Sequence, residues 1–90
     1  MLKTLEDLIL LVRNRKKNPI KNSYTNKLLD NKSLGKEKVL EEIKELIEAV
    51  ENNTNKIHEA SDVFYHLLVY LEANNIKIED VMDELNKRKK

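Results

Sequence analysis

The 90-residue chain has no cysteine, one glycine and one proline. Without thiols it can form neither a disulfide nor a thiolate metal site and has no cysteine nucleophile. A cytoplasmic location is then the expected one. So few helix breakers predict a nearly all-helical chain. Long apolar runs are also missing. The longest, Leu8 to Val12, is far too short to span a bilayer, and the N-terminus lacks the basic start and small-residue cleavage site of a signal peptide. Seventeen basic against sixteen acidic residues leave a formal charge of +1, so no net field draws the chain to nucleic acid or to a membrane.

What the chain does contain is charge, at 37%, and enough hydrophobic side chain, at 40%, for the interior of one small domain over residues 1–90. A chain of this size buries only about 60–65% of its unfolded surface, so dimerisation is a natural way to complete its core.

Leu2, Leu5, Leu8, Ile9 and Val12 recur at three and four residues and predict a helix from 1 to about 14. The basic cluster Arg13 to Lys17 follows, and Asn18-Pro19 ends the helix. That cluster can meet phosphates, or simply complement the negative end of the helix. Ser23 or Thr25 is available to cap a short helix over about 25–29, with Leu28 and Leu29 packing and Asn31 closing it in a left-handed conformation. A second long helix is expected from near Ser33 to Asn52, with Val39, Leu40, Ile43, Leu46, Ile47 and Val50 as its buried stripe. The turn Asn52–Asn55 follows, with Asn53 or Thr54 capping the next helix. That third long helix would turn Ile57, Ala60, Phe64, Leu67, Leu68 and Leu71 inward. A fourth, over about 76–87, would bury Ile78, Val81, Met82 and Leu85. The short join makes the second and third long helices antiparallel neighbours. The expected fold is all-α, a four-helix arrangement with one short additional turn of helix.

The chemistry lies on the two middle helices. Glu42 and Glu45 stand three residues apart, hence on one face, and Glu59 and Asp62 repeat that spacing on the next helix. Antiparallel packing can bring the four carboxylates to one point. So much like charge repels itself unless a cation neutralises it, and hard oxygen donors suit Mg²⁺ or Mn²⁺. A solvated face explains such pairs equally well in a chain this rich in glutamate. His66, one turn beyond Asp62, can bond a ligand or merely its local surroundings. Tyr65 is equally a packing or a contact residue.

The pattern Glu41-Glu42-x-x-Glu45 followed by Glu59-x-x-Asp62 resembles the all-α nucleotide pyrophosphohydrolases, the MazG and dimeric dUTPase group. Further elements narrow the resemblance: Arg15-Lys16-Lys17-Asn18-Pro19, Ser23-Tyr24-Thr25 with Lys27-Leu28-Leu29, Lys38-Val39, and Glu59 through Leu68 with its Tyr65-His66 pair. Together with Asn75-Ile76 and Ile78 to Val81, they make nearly the whole chain similar to the phosphoribosyl-ATP pyrophosphatases of histidine biosynthesis. The chain departs from that pattern at Leu40 and Asn31, where glycine is usual, and at Gly35, where the family is apolar.

The resemblance implies that Glu42, Glu45, Glu59 and Asp62 bind Mg²⁺, with Mn²⁺ as a substitute, and that Glu41 orients water beside the catalytic Glu42 and Glu45. It makes Arg15, Lys16, Lys27 and Lys38 candidates for holding phosphates, and Ser23, Tyr24, Thr25 and His66 candidates for placing substrate. It implies a nucleotide substrate cleaved at its α–β phosphoanhydride, a homodimer, and the pathway cyclohydrolase as a possible partner. Three other readings stand beside it: a housecleaning pyrophosphohydrolase acting on a non-canonical triphosphate, a non-enzymatic helical dimerisation module, and, furthest off, a nucleic-acid-binding domain, for which no recognition motif is visible.

Overall fold

In a chain with a single glycine, asparagine takes over the left-handed backbone positions. Asn22, Asn53, Asn55 and Asn75 have φ of 65°, 54°, 45° and 60°. A short polar side chain that bonds its own backbone makes that region accessible to asparagine. Between these breaks a computed structural model, which describes residues 2–89, contains five helices: α1 (Lys3–Lys17), α2 (Tyr24–Asp30), α3 (Lys32–Asn52), α4 (Lys56–Ala73) and α5 (Ile78–Arg88). The all-α class expected from the composition is what is found, with no strand among the described residues.

Local details differ from expectation. Helix α1 runs on to Lys17, so the basic cluster occupies its last turn. Asn31 is extended (φ −131°) rather than left-handed, because its side chain serves the following helix: Oδ1 accepts from the Leu34 amide at 3.1 Å. Asn55, not Asn53 or Thr54, precedes α4, while Asn53 closes α3.

The fully buried core is small. Val12 of α1, Leu28 of α2 and Val69 of α4 meet there, with Leu8, Leu29, Leu34 and Tyr65 packed around them. Buried Asn26 fixes the connection before α2: its Oδ1 accepts from the Ile20 amide at 3.0 Å, and its Nδ2 donates to the Arg15 carbonyl at 2.8 Å.

Helices α3 and α4 form the most extensive helix pair. Gly35, Glu42 and Ala49 are the buried residues of α3 and, at seven-residue spacing, lie on one face. A Cβ on Gly35 would stand 3.3 Å from Tyr70 Cδ1 of α4, so glycine there permits the close approach. The expected apolar stripe of α3 points the other way. Leu40, Ile47 and Val50 are 61%, 53% and 57% exposed, and Ile43 is exposed as well; only Val39 and Leu46 are half-buried. On α4, Ile57, Phe64 and Leu67 are exposed, and on α5 Met82 and Leu85 are too. The face of α3 that carries the carboxylates is the one turned toward α4, and a helix cannot turn both faces to one neighbour.

Helix α5 is held by ions more than by packing. Arg13 Nε donates to buried Glu72 Oε1 at 2.9 Å, while its two terminal nitrogens grip Glu79, one of them at 2.7 Å. Lys16 Nζ donates to the Glu72 carbonyl at 2.7 Å and to Asn75 Oδ1 at 2.6 Å, satisfying the end of α4. The Arg13 guanidinium pulls the Glu79 carboxyl from 4.5 down to about 2. With the folded value below the unfolded one, this contribution is complete above 4.5 and is lost as pH falls toward about 2. Arg13→Met is expected to lower stability by about 2 kcal/mol at pH 7, chiefly by leaving Glu72 buried without its partner. The deficit relative to the parent should shrink at pH 3, as read by urea unfolding at both pH values.

Candidate metal centre and active site

The turn joining α3 to α4 is short, which sets the two helices antiparallel and lays the i, i+3 pairs of each against the other. Glu42, Glu45 and Glu59 each place a carboxylate oxygen within 4.8 Å of the other two. Asp62 joins through a second group, with Glu59 and His58 at the same mutual separation. The four expected carboxylates are therefore brought together, with Glu59 shared by both groups. Glu42 is buried at 6% exposure, and Glu59 and Asp62 are half-buried.

Glu42 Oε2 and Glu59 Oε2 are buried without a hydrogen-bond partner. Such an oxygen is costly unless something positive meets it. Burial first, and then the charge of Glu45, push both carboxyls up; Asp62 adds to each, while His66 opposes the shift of Glu42 and His58 that of Glu59. The Glu42, Glu45 and Glu59 donors are all hard oxygens, and they fit Mg²⁺ or Mn²⁺. His58 was not singled out in the sequence. Its Nε2 lies 3.4 Å from Asp62 Oδ2, an exposed imidazole beside a half-buried carboxylate one turn on, and the only sequence signal of the pair is the i, i+4 spacing.

At the edge of this cage Lys38 Nζ donates to exposed Glu41 Oε2 at 3.1 Å and lies 4.0 Å from Glu42 Oε1. The Glu41 bond raises the Lys38 pKa. From α2, Tyr24 reaches His66. A carbonyl only accepts, so His66 Nδ1 carries the proton donated to the Asp62 carbonyl at 2.8 Å, and Nε2 is hydrogen-bonded with the Tyr24 hydroxyl at 3.0 Å. The Tyr24 ring stacks on Tyr65 with centroids 6.3 Å apart, and burial raises its hydroxyl pKa.

The other polar candidates have local partners. Ser23 Oγ accepts from the Asn26 amide and caps α2. Thr25 Oγ1 pairs with Tyr65 Oη at 2.6 Å, tying α2 to α4. Arg15 is half-buried near the end of α1, and Lys27 lines a cavity beside Tyr24. Lys16 is engaged at the far end of α4, ten residues or about 15 Å of helix rise from Asp62. The structure does not bring it to the carboxylates.

An all-α fold with carboxylates converging between two antiparallel helices defines a class, helical proteins with an acidic cluster between two helices. Within it, the chain belongs to the phosphoribosyl-ATP pyrophosphohydrolase family, whose profile matches residues 5–89. It is 44% identical over 91 residues to a phosphoribosyl-ATP pyrophosphatase of Clostridium novyi, covering 96% of this chain and 81% of that one. It is 41% identical over 90 residues to another of Methanococcoides burtonii, covering 94% and 91%. The histidine biosynthesis bifunctional protein HisIE of Pyrococcus furiosus is 38% identical over 92 residues, covering 99% of this chain and 43% of that longer protein. No solved structure matches the chain at significant similarity. The chain is thus a hydrolase of histidine biosynthesis, as the resemblance over nearly its whole length implies.

Neutralising a member of a self-repelling cluster relieves it. Glu42→Gln and Glu45→Gln are each expected to raise stability in chelator by about 0.5–2 kcal/mol, the usual gain from removing a functional liability. Thermal unfolding in EDTA reads this. A drop in both variants would mean that the carboxylates are held by partners rather than opposed to one another.

Proposed function

We propose that the chain hydrolyses the α–β phosphoanhydride of phosphoribosyl-ATP, releasing phosphoribosyl-AMP and pyrophosphate in a Mg²⁺-dependent reaction. The observation that carries this reading is the pair of buried, unpartnered oxygens on Glu42 and Glu59. Glu42, Glu45, Glu59 and Asp62 would hold the ion. Bound there, Mg²⁺ would neutralise the triphosphate and so lower the barrier to attack.

The chain's own groups do the rest. Glu41, exposed beside the cage and fixed by Lys38, orients the attacking water and takes its proton. Lys38 stands where a phosphate oxygen can compete with Glu41 for its ammonium. Tyr24 and His66 hold substrate at the side of the site facing α2, and Arg15 and Lys27 add positive charge around it. Ser23 and Thr25 act through the placement of α2. Lys16 braces α4, and its part in substrate binding is indirect.

The exposed apolar faces support a homodimer. Leu40, Ile43, Ile47 and Val50 run along the outside of α3, and Ile57 (88% exposed) and Phe64 (58%) lie along α4. With Leu2, Leu5 and Leu8, the latter pair forms the walls of a cleft of about 640 Å³ that Asp62 also lines. Patches of this extent on a small protein are ordinarily covered by another chain. We place the enzyme in the cytoplasm; no described helix is long and apolar enough to cross a membrane. The longer bifunctional relative supports association with a second enzyme of histidine biosynthesis, for which the cyclohydrolase that would take the product is the candidate.

Release of pyrophosphate from phosphoribosyl-ATP tests the reading directly. Turnover is expected with Mg²⁺, to exceed that of ordinary nucleoside triphosphates, and to stop in chelator. Glu45→Gln and Asp62→Asn should each reduce it at least 100-fold, the scale of losing one electrostatic contact in the transition state. Full activity in both variants would exclude the metal site as drawn. Separately, Ile47→Lys should shift the sedimenting species from dimer to monomer at micromolar concentration, whereas a parent that already sediments as a monomer would exclude the dimer.

A further inference from the structure

The connection between α1 and α2 and the outer face of α2 enclose an open cavity of about 720 Å³, of the size that takes a small organic ligand. Its walls include Pro19, Ile20, Lys21, Tyr24, Lys27 and Asp30. Two features mark it as built. Buried Asn26 locks its floor, bonding the Ile20 amide on one side and the Arg15 carbonyl on the other. Lys21 and Lys27 form no ion pair among the described residues, so two lysines and one aspartate leave the cavity with a positive balance.

Hydrogen bonds link the cavity to the carboxylate cage. Its Tyr24 wall bonds His66, and His66 bonds the carbonyl of Asp62. The path from the cage is four residues of α4, about 6 Å, and then the length of one tyrosine side chain. A ligand held at the cage by one end and long enough to pass Tyr24 arrives at the two lysines with its other end.

Resting on the function proposed above, we infer that this cavity is a second anion subsite, in which Lys21 and Lys27 bind the 5′-phosphate of the ribose attached to the adenine ring. Phosphoribosyl-ATP carries anions at both ends. The triphosphate belongs with the carboxylates and their cation. The monophosphate at the opposite end has no metal to neutralise it and needs side-chain cations, which lysine supplies as point charges. Tyr24, with 44% of its surface exposed and one face on Tyr65, lies between the two ends, where a purine can lie against it. The subsite therefore selects for the doubly phosphorylated substrate over ATP, which ends at the adenine.

Isothermal titration with phosphoribosyl-AMP and with AMP separates the two ends. The parent is expected to bind phosphoribosyl-AMP at least tenfold more tightly than AMP. The double variant Lys21→Ala/Lys27→Ala should lose that advantage, weakening phosphoribosyl-AMP 10- to 100-fold while AMP stays within twofold. Asp30→Asn, which removes the opposing charge, should tighten phosphoribosyl-AMP several-fold, a gain that misfolding cannot produce. Equal losses for both ligands in the double variant, or an unchanged preference for phosphoribosyl-AMP, would overturn the subsite while leaving turnover of phosphoribosyl-ATP by the parent intact. Absence of that turnover in the parent would remove the proposed function and this subsite with it.

Discussion

The packing of α3 against α4 sets acidic side chains between two helices where most small proteins place leucine. Glu42 is nearly inaccessible, and Glu45 and Glu59 each come within 4.8 Å of it. Desolvation and like charge act in the same direction on these groups, and both raise the free energy of the folded chain. The fold tolerates this because the same helix pair is tight elsewhere. Gly35 lets Tyr70 approach at one end, and Ala49 is buried near the other. What strains this cluster, burial together with like charge, is also what would favour a hard cation beside it.

That arrangement turns α3 inside out relative to an ordinary amphipathic helix. Its carboxylates face the interior of the chain, and Leu40, Ile43, Ile47 and Val50 face away from it. The fully buried core, around Val12, Leu28 and Val69, therefore lies away from that outer face of α3, with Val69 seven residues along α4 from Asp62. Helix α4 is shared: Glu59 and Asp62 serve the cage, and Leu68 and Val69 serve the core. The protein separates a region built for charge from a region built for cohesion, with one helix common to both.

The short α2 connects them. Leu28 inserts into the core, while Tyr24 and Thr25 bond His66 and Tyr65 on the face of α4 next to the cage. Seven residues thus transmit the position of the core to the edge of the site. Arg13 does the equivalent at the far end, joining α1 to the end of α4 and the start of α5 through Glu72 and Glu79.

Much of this was legible in the sequence, because it depends on local spacing. The scarcity of glycine and proline pointed to the helical class, and the i, i+3 repeats at Glu42–Glu45 and Glu59–Asp62, joined by a short turn, put carboxylates where antiparallel packing could bring them together. The residue patterns around them identified the family. Tertiary structure decided everything that depends on which face meets which neighbour. Periodicity marks the apolar face of α3 but cannot say whether it is covered by the same chain, since burial is a property of the neighbour and not of the helix. Lys16 reads as one more cation in a basic cluster until the end of α4 is seen to occupy it. Lys21 reads as loop until the fold of the α1–α2 connection puts it with Lys27 in the walls of one cavity. Charge spacing along one helix is written in the sequence; charge meeting charge across helices is written only in the packing.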